Sequence, residues 1–245
     1  MCAKTYEVYD KLNPPVEEAF RELRTNILFY AAHRKLKTLT VVSYNSREGK
    51  TTVAINLAIA IARSGMKVLL MDADLRKPTL IKRLGGKDPI GLSSFILGEC
   101  TIDEVTSHTS IKNLYYISCG PKQPNSTELI GSNRFSEFLK TVEEEYDMVI
   151  IDTSTLGSVV DGAIIASQTD GTLMVIENRA LQSYKAKKLK AQLENANANI
   201  IGAVLNKVSR RDYKFYKTQA YNFYYNQNSG SIKKPKKRRF KKSDK

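Results

Sequence analysis

Apolar residues recur at Val16, Phe20, Leu23 and Ile27, the three- and four-residue spacing of one helix face, and predict an amphipathic helix over about residues 16–30 behind Pro14 and Pro15. The pattern then changes to short apolar runs. "TLTVVSY" (Thr38–Tyr44), "KVLLMDAD" (Lys67–Asp74), "NLYYISCG" (Asn113–Gly120), "DMVIIDTS" (Asp147–Ser154), "GTLMVIE" (Gly171–Glu177) and "NIIGAVLNKV" (Asn199–Val208) all read as strands. Between them lie helical stretches: "TTVAINLAIAIARSG", closed by Gly65, then "SNRFSEFLKTVEEEY" and "SYKAKKLKAQLENA". Strands alternating with helices imply parallel pairing, right-handed crossovers and a sheet covered on both faces, hence an α/β fold.

Past Val208 the pattern fails. The segment "SRRDYKFYKTQAYNFYYNQNSGSIKKPKKRRFKKSDK" is almost free of aliphatic residues but holds Tyr213, Tyr216, Tyr221, Tyr224 and Tyr225. It predicts a flexible tail after about residue 209. Charge sharpens the division. The chain of 245 residues carries a formal +14, of which residues 233–245 supply +8 (nine Lys/Arg against Asp244). The folded part is therefore only mildly basic, and the tail could meet anionic lipid, an acidic protein segment or nucleic acid by nonspecific attraction. Aromatic residues interleaved with lysine, as in "YKFYK", could also stack on single-stranded nucleic acid.

Hydrophobic residues make up 42% of the chain, enough for a real core, yet no run of 18 apolar residues exists and the N-terminus lacks an apolar signal region. The chain is expected in the cytosol. Cys2, Cys100 and Cys119 have neither disulfide-like nor metal-like spacing and read as isolated thiols.

The candidate chemistry sits where "TLTVVSY" meets the next helix. Gly49, Lys50 and Thr51 form the Gly-Lys-Thr of a phosphate loop, in which backbone N–H groups and a lysine converge on phosphates at a helix N-terminus. Lys50 would reach the β and γ phosphates and Thr51 would ligate magnesium. The loop is unusual: Tyr44 stands where glycine normally opens it, and Ser46, Arg47 and Glu48 precede Gly49. Asp72, Asp74 and Asp152 fall at the carboxyl ends of two predicted strands, the edge where open parallel sheets bind ligands. Any one of them could merely cap a turn; three with a lysine at one edge suggest a site.

Together, "SREGKTTVAINLA", "VLLMDADLRKP", "GPKQPNSTELIGS", "YDMVIIDTS" and "GAVLNKV", in this order, resemble the cytoplasmic kinase domain of bacterial tyrosine autokinases. These are capsule and exopolysaccharide regulators of the deviant-Walker P-loop class. The resemblance runs from about Glu17 to Val208, and the tyrosine-rich tail extends it. It implies ATP and Mg²⁺ as cofactors, with Ser46 to Thr52 holding the nucleotide, Asn206 near the adenine, and Thr51, Asp74 and Asp152 around the metal. Asp72 and Asp74 take the family's second aspartate motif, one assisting deprotonation of the phenol and the other helping to hold magnesium. The tail tyrosines become phosphoacceptors.

The resemblance also marks Glu18, Arg21 and Arg24, at three-residue spacing, as a ring-forming motif; the residues alone would equally suit a solvated charged face. It implies a kinase domain over residues 1–208 with an N-terminal oligomerisation helix, a tail over 209–245, phosphorylation between subunits, protein substrates in polysaccharide synthesis, and a membrane adaptor of the chain-length-regulator type that recruits the chain to the inner membrane face. Basic-tail contact with anionic lipid fits that picture, and specific nucleic-acid binding is not expected. Two departures stand out: Ser46-Arg47 replaces the usual Pro-Gly, and Thr153-Ser154-Thr155 replaces Thr-Pro-Pro. A partitioning-type ATPase of the same class is the first alternative, but Asn45 occupies the place of its signature lysine. A scaffold that binds ATP without transferring phosphate is the second.

Overall fold

The computed structural model describes residues 5–8, 12–78, 80, 90–178, 183–209 and 212–213. Two compact units are distinguished, Met1–Lys207 and Val208–Lys245. In chain order the first unit contains β1 (Thr5–Tyr6), α1 (Pro14–His33), β2 (Thr38–Ser43), α2 (Lys50–Ala62), β3 (Val68–Asp72), α3 (Leu92–Leu97), α4 (Ile102–Val105), β4 (Thr106–Thr109), β5 (Leu114–Ile117), α5 (Ser126–Ile130), α6 (Asn133–Glu145), β6 (Met148–Asp152), α7 (Asp161–Ser167), β7 (Gly171–Glu177), α8 (Ser183–Asn195) and β8 (Ile200–Asn206). The strands form one sheet in the order β1-β4-β5-β3-β6-β2-β7-β8. All neighbours pair in parallel except β4 and β5, which are antiparallel.

The six strands expected from the apolar runs are present; β7 keeps its expected bounds and the other five lose between one and three residues at an end. Among the described residues the structure adds β1 and β4, which extend the sheet at one edge, and four short helices, α3, α4, α5 and α7. β4 has the sequence "TSHT", and its pairing with "LYYI" rests on backbone complementarity rather than an apolar run.

Alternation along the strands divides the core. Leu70, Ile150, Val41 and Val175 face a layer built by α2, against which α1 packs, whereas Leu69, Met71, Val149 and Ile151 face Phe135, Phe138, Leu139 and Val142 of α6. α2 is buried on nearly every face, from Val53 through Ala62, because it lies between the sheet and α1. Its β-branched and leucine side chains each contribute about 1.5–3 kcal/mol on burial. α1 begins at Asn13, whose side chain accepts a hydrogen bond from the Val16 N–H at 3.2 Å, with Pro14 and Pro15 in the first turn. Ile27 is buried while Phe20, Leu23 and Tyr30 pack partly against the core. Among the described residues no helix is long and apolar enough to cross a membrane.

In the second unit, the described residues make one turn: the Ser209 hydroxyl donates to Asp212 Oδ2 at 2.8 Å, and the Tyr213 N–H donates to the Ser209 carbonyl at 2.8 Å. Tyr216, Tyr221, Tyr224, Tyr225 and the basic run 233–245 lie outside the described residues.

Candidate active site

Three adjacent strands, β3, β6 and β2, end at one edge of the sheet, with Asp72, Asp152 and Ser43 as their last residues. Register sets Asp72 directly beside Asp152. The chain leaving β2 turns into α2 through residues 44–49, and that turn overhangs the two carboxylates.

The turn solves its unusual sequence through its own side chains. Glu48 folds back and is almost wholly buried. Its Oε2 accepts the backbone N–H groups of Tyr44 (3.0 Å) and Asn45 (3.1 Å), and its Oε1 accepts the Asn45 side-chain amide at 3.0 Å. Two loop amides are thus satisfied internally rather than facing the ligand side. Tyr44, where a glycine is usual, is accommodated because the opposing residue is Gly157. A Cβ there would come within 2.5 Å of the Tyr44 carbonyl and 3.2 Å of its ring, and the Gly157 N–H donates to that carbonyl at 2.8 Å. Gly49 has φ 99°, the left-handed region, and a Cβ on it would meet the Asn206 amide nitrogen at 1.9 Å. Asn206, from the end of β8, donates that amide to the Glu48 carbonyl at 2.9 Å and braces the loop from outside.

Arg47 has φ 66°, unfavourable for a residue with a Cβ, and its side chain is exposed. Glycine should therefore be tolerated there. Arg47→Gly is expected to hold ADP affinity within about threefold in calorimetry and stability within about 1 kcal/mol in urea, because relief of left-handed strain offsets the extra freedom glycine gives the unfolded chain. Complete loss of ADP binding would make the guanidinium itself a ligand.

Below the loop, Lys50 Nζ lies 2.5 Å from Asp152 Oδ1, and the Thr51 hydroxyl donates to Asp152 Oδ2 at 2.7 Å. All three residues are buried. Asp72 is wholly buried too; its Oδ1 accepts the Asp74 N–H at 3.0 Å, while Oδ2 has no hydrogen-bond partner among the described residues. Burial, and next the charge of Asp152, push the Asp72 carboxyl up to about 8. Asp74 is raised as well, chiefly by burial, although the Lys77 N–H it accepts at 3.0 Å and the Lys50 charge work the other way.

Above these groups opens a crevice of about 680 Å³, lined by Ser46, Arg47, Glu48, Gly49, Lys50 and Thr51 on one side and by Asp74, Arg76, Lys77 and Ser154 on the other. Asp74 thus reaches the crevice, whereas Asp72 and Asp152 form buried ground beneath it, and Thr52 and Asn206 stand outside its lining. The cationic wall fits an anionic ligand. A divalent cation is also compatible: Thr51, Asp152 and the unpaired Asp72 oxygen are all hard oxygen donors. Among the described residues no group of three His, Cys, Asp or Glu is placed to hold a metal ion.

One cluster was not anticipated from the sequence. Asp161, at the start of α7 and 1% exposed, accepts Arg76 Nε at 2.7 Å, the Ser126 hydroxyl at 3.0 Å and the Thr127 hydroxyl at 2.7 Å. Arg76 Nη2 also donates to Thr127 Oγ1 at 2.8 Å. The network ties the loop after β3, which carries Asp74, to α5 and α7. "DLRK" and "NST" were visible as motifs, but nothing local pointed to Asp161 as their common partner. In the charged strip of α1, Arg21 pairs with Glu17 (2.8 Å) and Glu18 (3.4 Å), and Arg24 donates to the Ala60 carbonyl of α2 at 3.2 Å.

A parallel sheet whose central strand ends in a lysine-bearing loop, with a buried carboxylate on the neighbouring strand, defines a P-loop nucleotide-binding domain, and the AAA domain family matches residues 37–201. The kinase domain of the Escherichia coli tyrosine kinase ETK superposes with a TM-score of 0.76 at 32% identity, covering 80% of this chain and 76% of that one. The chimerical protein CapA2B2 gives 0.77 at 31% identity, covering 84% and 94%. Tyrosine-protein kinase YwqD of Bacillus subtilis is 35% identical over 82% of this chain and 86% of its own length. The chain belongs to the bacterial protein-tyrosine kinase family. A MinD cell-division ATPase from Pyrococcus furiosus, representing the partitioning alternative, shares less, with a TM-score of 0.62 at 27% identity.

Proposed function

We propose that this kinase uses ATP and Mg²⁺ to phosphorylate tyrosines of its own tail, between subunits, and thereby regulates capsule or exopolysaccharide synthesis. The observation that carries the reading is the Lys50–Asp152–Thr51 cluster beneath a crevice that Asp74 enters from the opposite side. In this reading the loop from Ser46 to Thr52 and the N-terminus of α2 receive the phosphates, and Lys50 exchanges Asp152 for the β and γ oxygens. Thr51 and Asp152, with Asp72 or Asp74, would hold Mg²⁺, which neutralises phosphate charge when bound. Asp74, the crevice-lining member of the pair, aligns the acceptor phenol. The phenolic oxygen bonds to the γ-phosphorus as the bond to the β,γ-bridging oxygen breaks; ADP leaves, and the phenolic proton passes to the carboxylate. A phenol has a pKa near ~10, so a carboxylate in contact helps even when proton transfer is late. Asn206 keeps its Oδ1 for the adenine amino group.

The acceptors are Tyr213, Tyr216, Tyr221, Tyr224 and Tyr225, and Glu18, Arg21 and Arg24 of α1 take part in ring assembly. A separate membrane adaptor recruits the chain to the inner face of the membrane. Each phosphate adds about −1.5 to −2 charges beside the basic tail and alters its contacts.

Radiolabelled ATP given to purified full-length protein tests the reading. Labelled phosphotyrosine mapped to residues 213–225 is expected. Phosphate release without incorporation would favour the partitioning-type ATPase, and binding with neither outcome the scaffold.

A further inference from the structure

Ser154 differs from the other hydroxyls of the crevice. Ser158 is exposed and Thr155 partly so, but Ser154 is only 4% exposed, and its Oγ is buried with no hydrogen-bond partner among the described residues. It nevertheless lines the same crevice as Lys50, Thr51 and Asp74. A buried hydroxyl with no partner is unfavourable; turned about its Cα–Cβ bond toward the crevice that Ser154 lines, it would gain a partner from a bound ligand.

The segment holding it is fastened by hydrogen bonds on both sides of Ser154. The Thr153 hydroxyl, buried, contacts the Val41 carbonyl at 3.0 Å and the Ser154 carbonyl at 3.1 Å. Beyond it, the Leu156 N–H donates to the Ser43 carbonyl at 3.0 Å, and Gly157 is fastened to Tyr44. Ser154 is therefore presented on a loop tied at both ends to β2 and its phosphate turn. Strand order adds a direction. β6, which delivers Ser154, lies between β2, which delivers Lys50, and β3, which delivers Asp74. A group passing from the phosphate loop to an acceptor held by Asp74 crosses the end of β6.

Resting on the kinase reading above, we propose that the Ser154 hydroxyl donates a hydrogen bond to the transferring phosphoryl group of ATP. Arg47, Lys50, Arg76 and Lys77 line the same crevice and make its ligand anionic, so the natural partner for this hydroxyl is a phosphoryl oxygen. Ser154 is thus a contact made on the reacting group, distinct from the loop amides and Lys50 that grip the whole phosphate chain.

The test compares full-length wild type, Ser154→Ala and Ser154→Thr. Ser154→Ala is expected to lower the rate of tyrosine labelling about tenfold, the value of a hydrogen bond to a charged group, while ADP affinity stays within about twofold. ADP with aluminium fluoride, which mimics the phosphoryl in flight, should bind Ser154→Ala about tenfold more weakly than wild type. Ser154→Thr should restore both to within about threefold. Equal labelling and equal aluminium fluoride binding in wild type and Ser154→Ala would overturn the proposal. A parallel loss of ADP binding and thermal midpoint would also overturn it, since that marks a packing role. Should wild type bind ADP yet label no tyrosine, the kinase reading falls, and the aluminium fluoride comparison still decides Ser154.

Discussion

Replacing Lys50 with methionine is expected to abolish tyrosine labelling, by about 10³-fold or more, because Lys50 is the loop's buried cation at the start of α2, whereas Arg47 is exposed. The substitution has a second consequence that the buried geometry makes unavoidable. Lys50 is the cation paired with Asp152, and Asp72 lies beside that carboxylate in register. Without the ammonium, Asp152 keeps, among the described residues, the Thr51 hydroxyl while sharing its surroundings with another carboxyl. Removing one partner of a buried pair costs about 3–5 kcal/mol, so the thermal midpoint should fall along with activity. Lys50→Arg separates the two effects: it keeps the charge and most of the stability, yet its broader head group cannot replace a compact ammonium among phosphates. Phosphotyrosine detection and calorimetry on the same preparations check both. Labelling by Lys50→Met above a tenth of wild type would remove Lys50 from the chemistry.

The second large effect is expected at Asp161. Burial opposes ionisation of this carboxyl, but the bonds from Arg76, Thr127 and Ser126 outweigh it and hold it below the ordinary aspartate range. With the folded value depressed, the stabilisation is complete above the unfolded value near ~4 and disappears as pH falls through the folded one. Asp161→Asn should therefore cost about 1.5–3 kcal/mol at pH 7, the worth of hydrogen bonds to a charged group, and less at pH 3, below the unfolded value, where the advantage of the depressed folded carboxyl is already shrinking. Urea unfolding at the two pH values reads the difference, and an equal cost at both would mean the ion pair contributes nothing. Tyrosine labelling should also drop at temperatures where the variant stays folded, because Arg76 no longer anchors the loop bearing Asp74.

Much of the architecture was legible because it is written in local periodicity. The six strands β2, β3, β5, β6, β7 and β8 and the four long helices each show a run or a repeat over many residues, and their order required parallel crossovers. The short helices α3, α4, α5 and α7 have too few turns to display a period, and β1 and β4 owe their existence to partners far along the chain. The site divides in the same way. Gly-Lys-Thr at a strand-to-helix junction and aspartates at strand ends are local signals, so Lys50, Thr51, Asp72, Asp74 and Asp152 could be named from the sequence. The Arg76–Asp161 pair could not, since 85 residues separate its members.

The sequence alone determined the class of fold, the sheet edge where the candidate site residues gather and the family to which the chain is similar, because each is encoded by neighbours within one element or one turn. Tertiary structure alone decided which carboxylate reaches the crevice, what Asn206 holds, and which hydroxyl is left buried without a partner. Those outcomes depend on strand order and register, which bring together groups about a hundred residues apart, and on burial, which sets the strength of each charge and hydrogen bond once they meet.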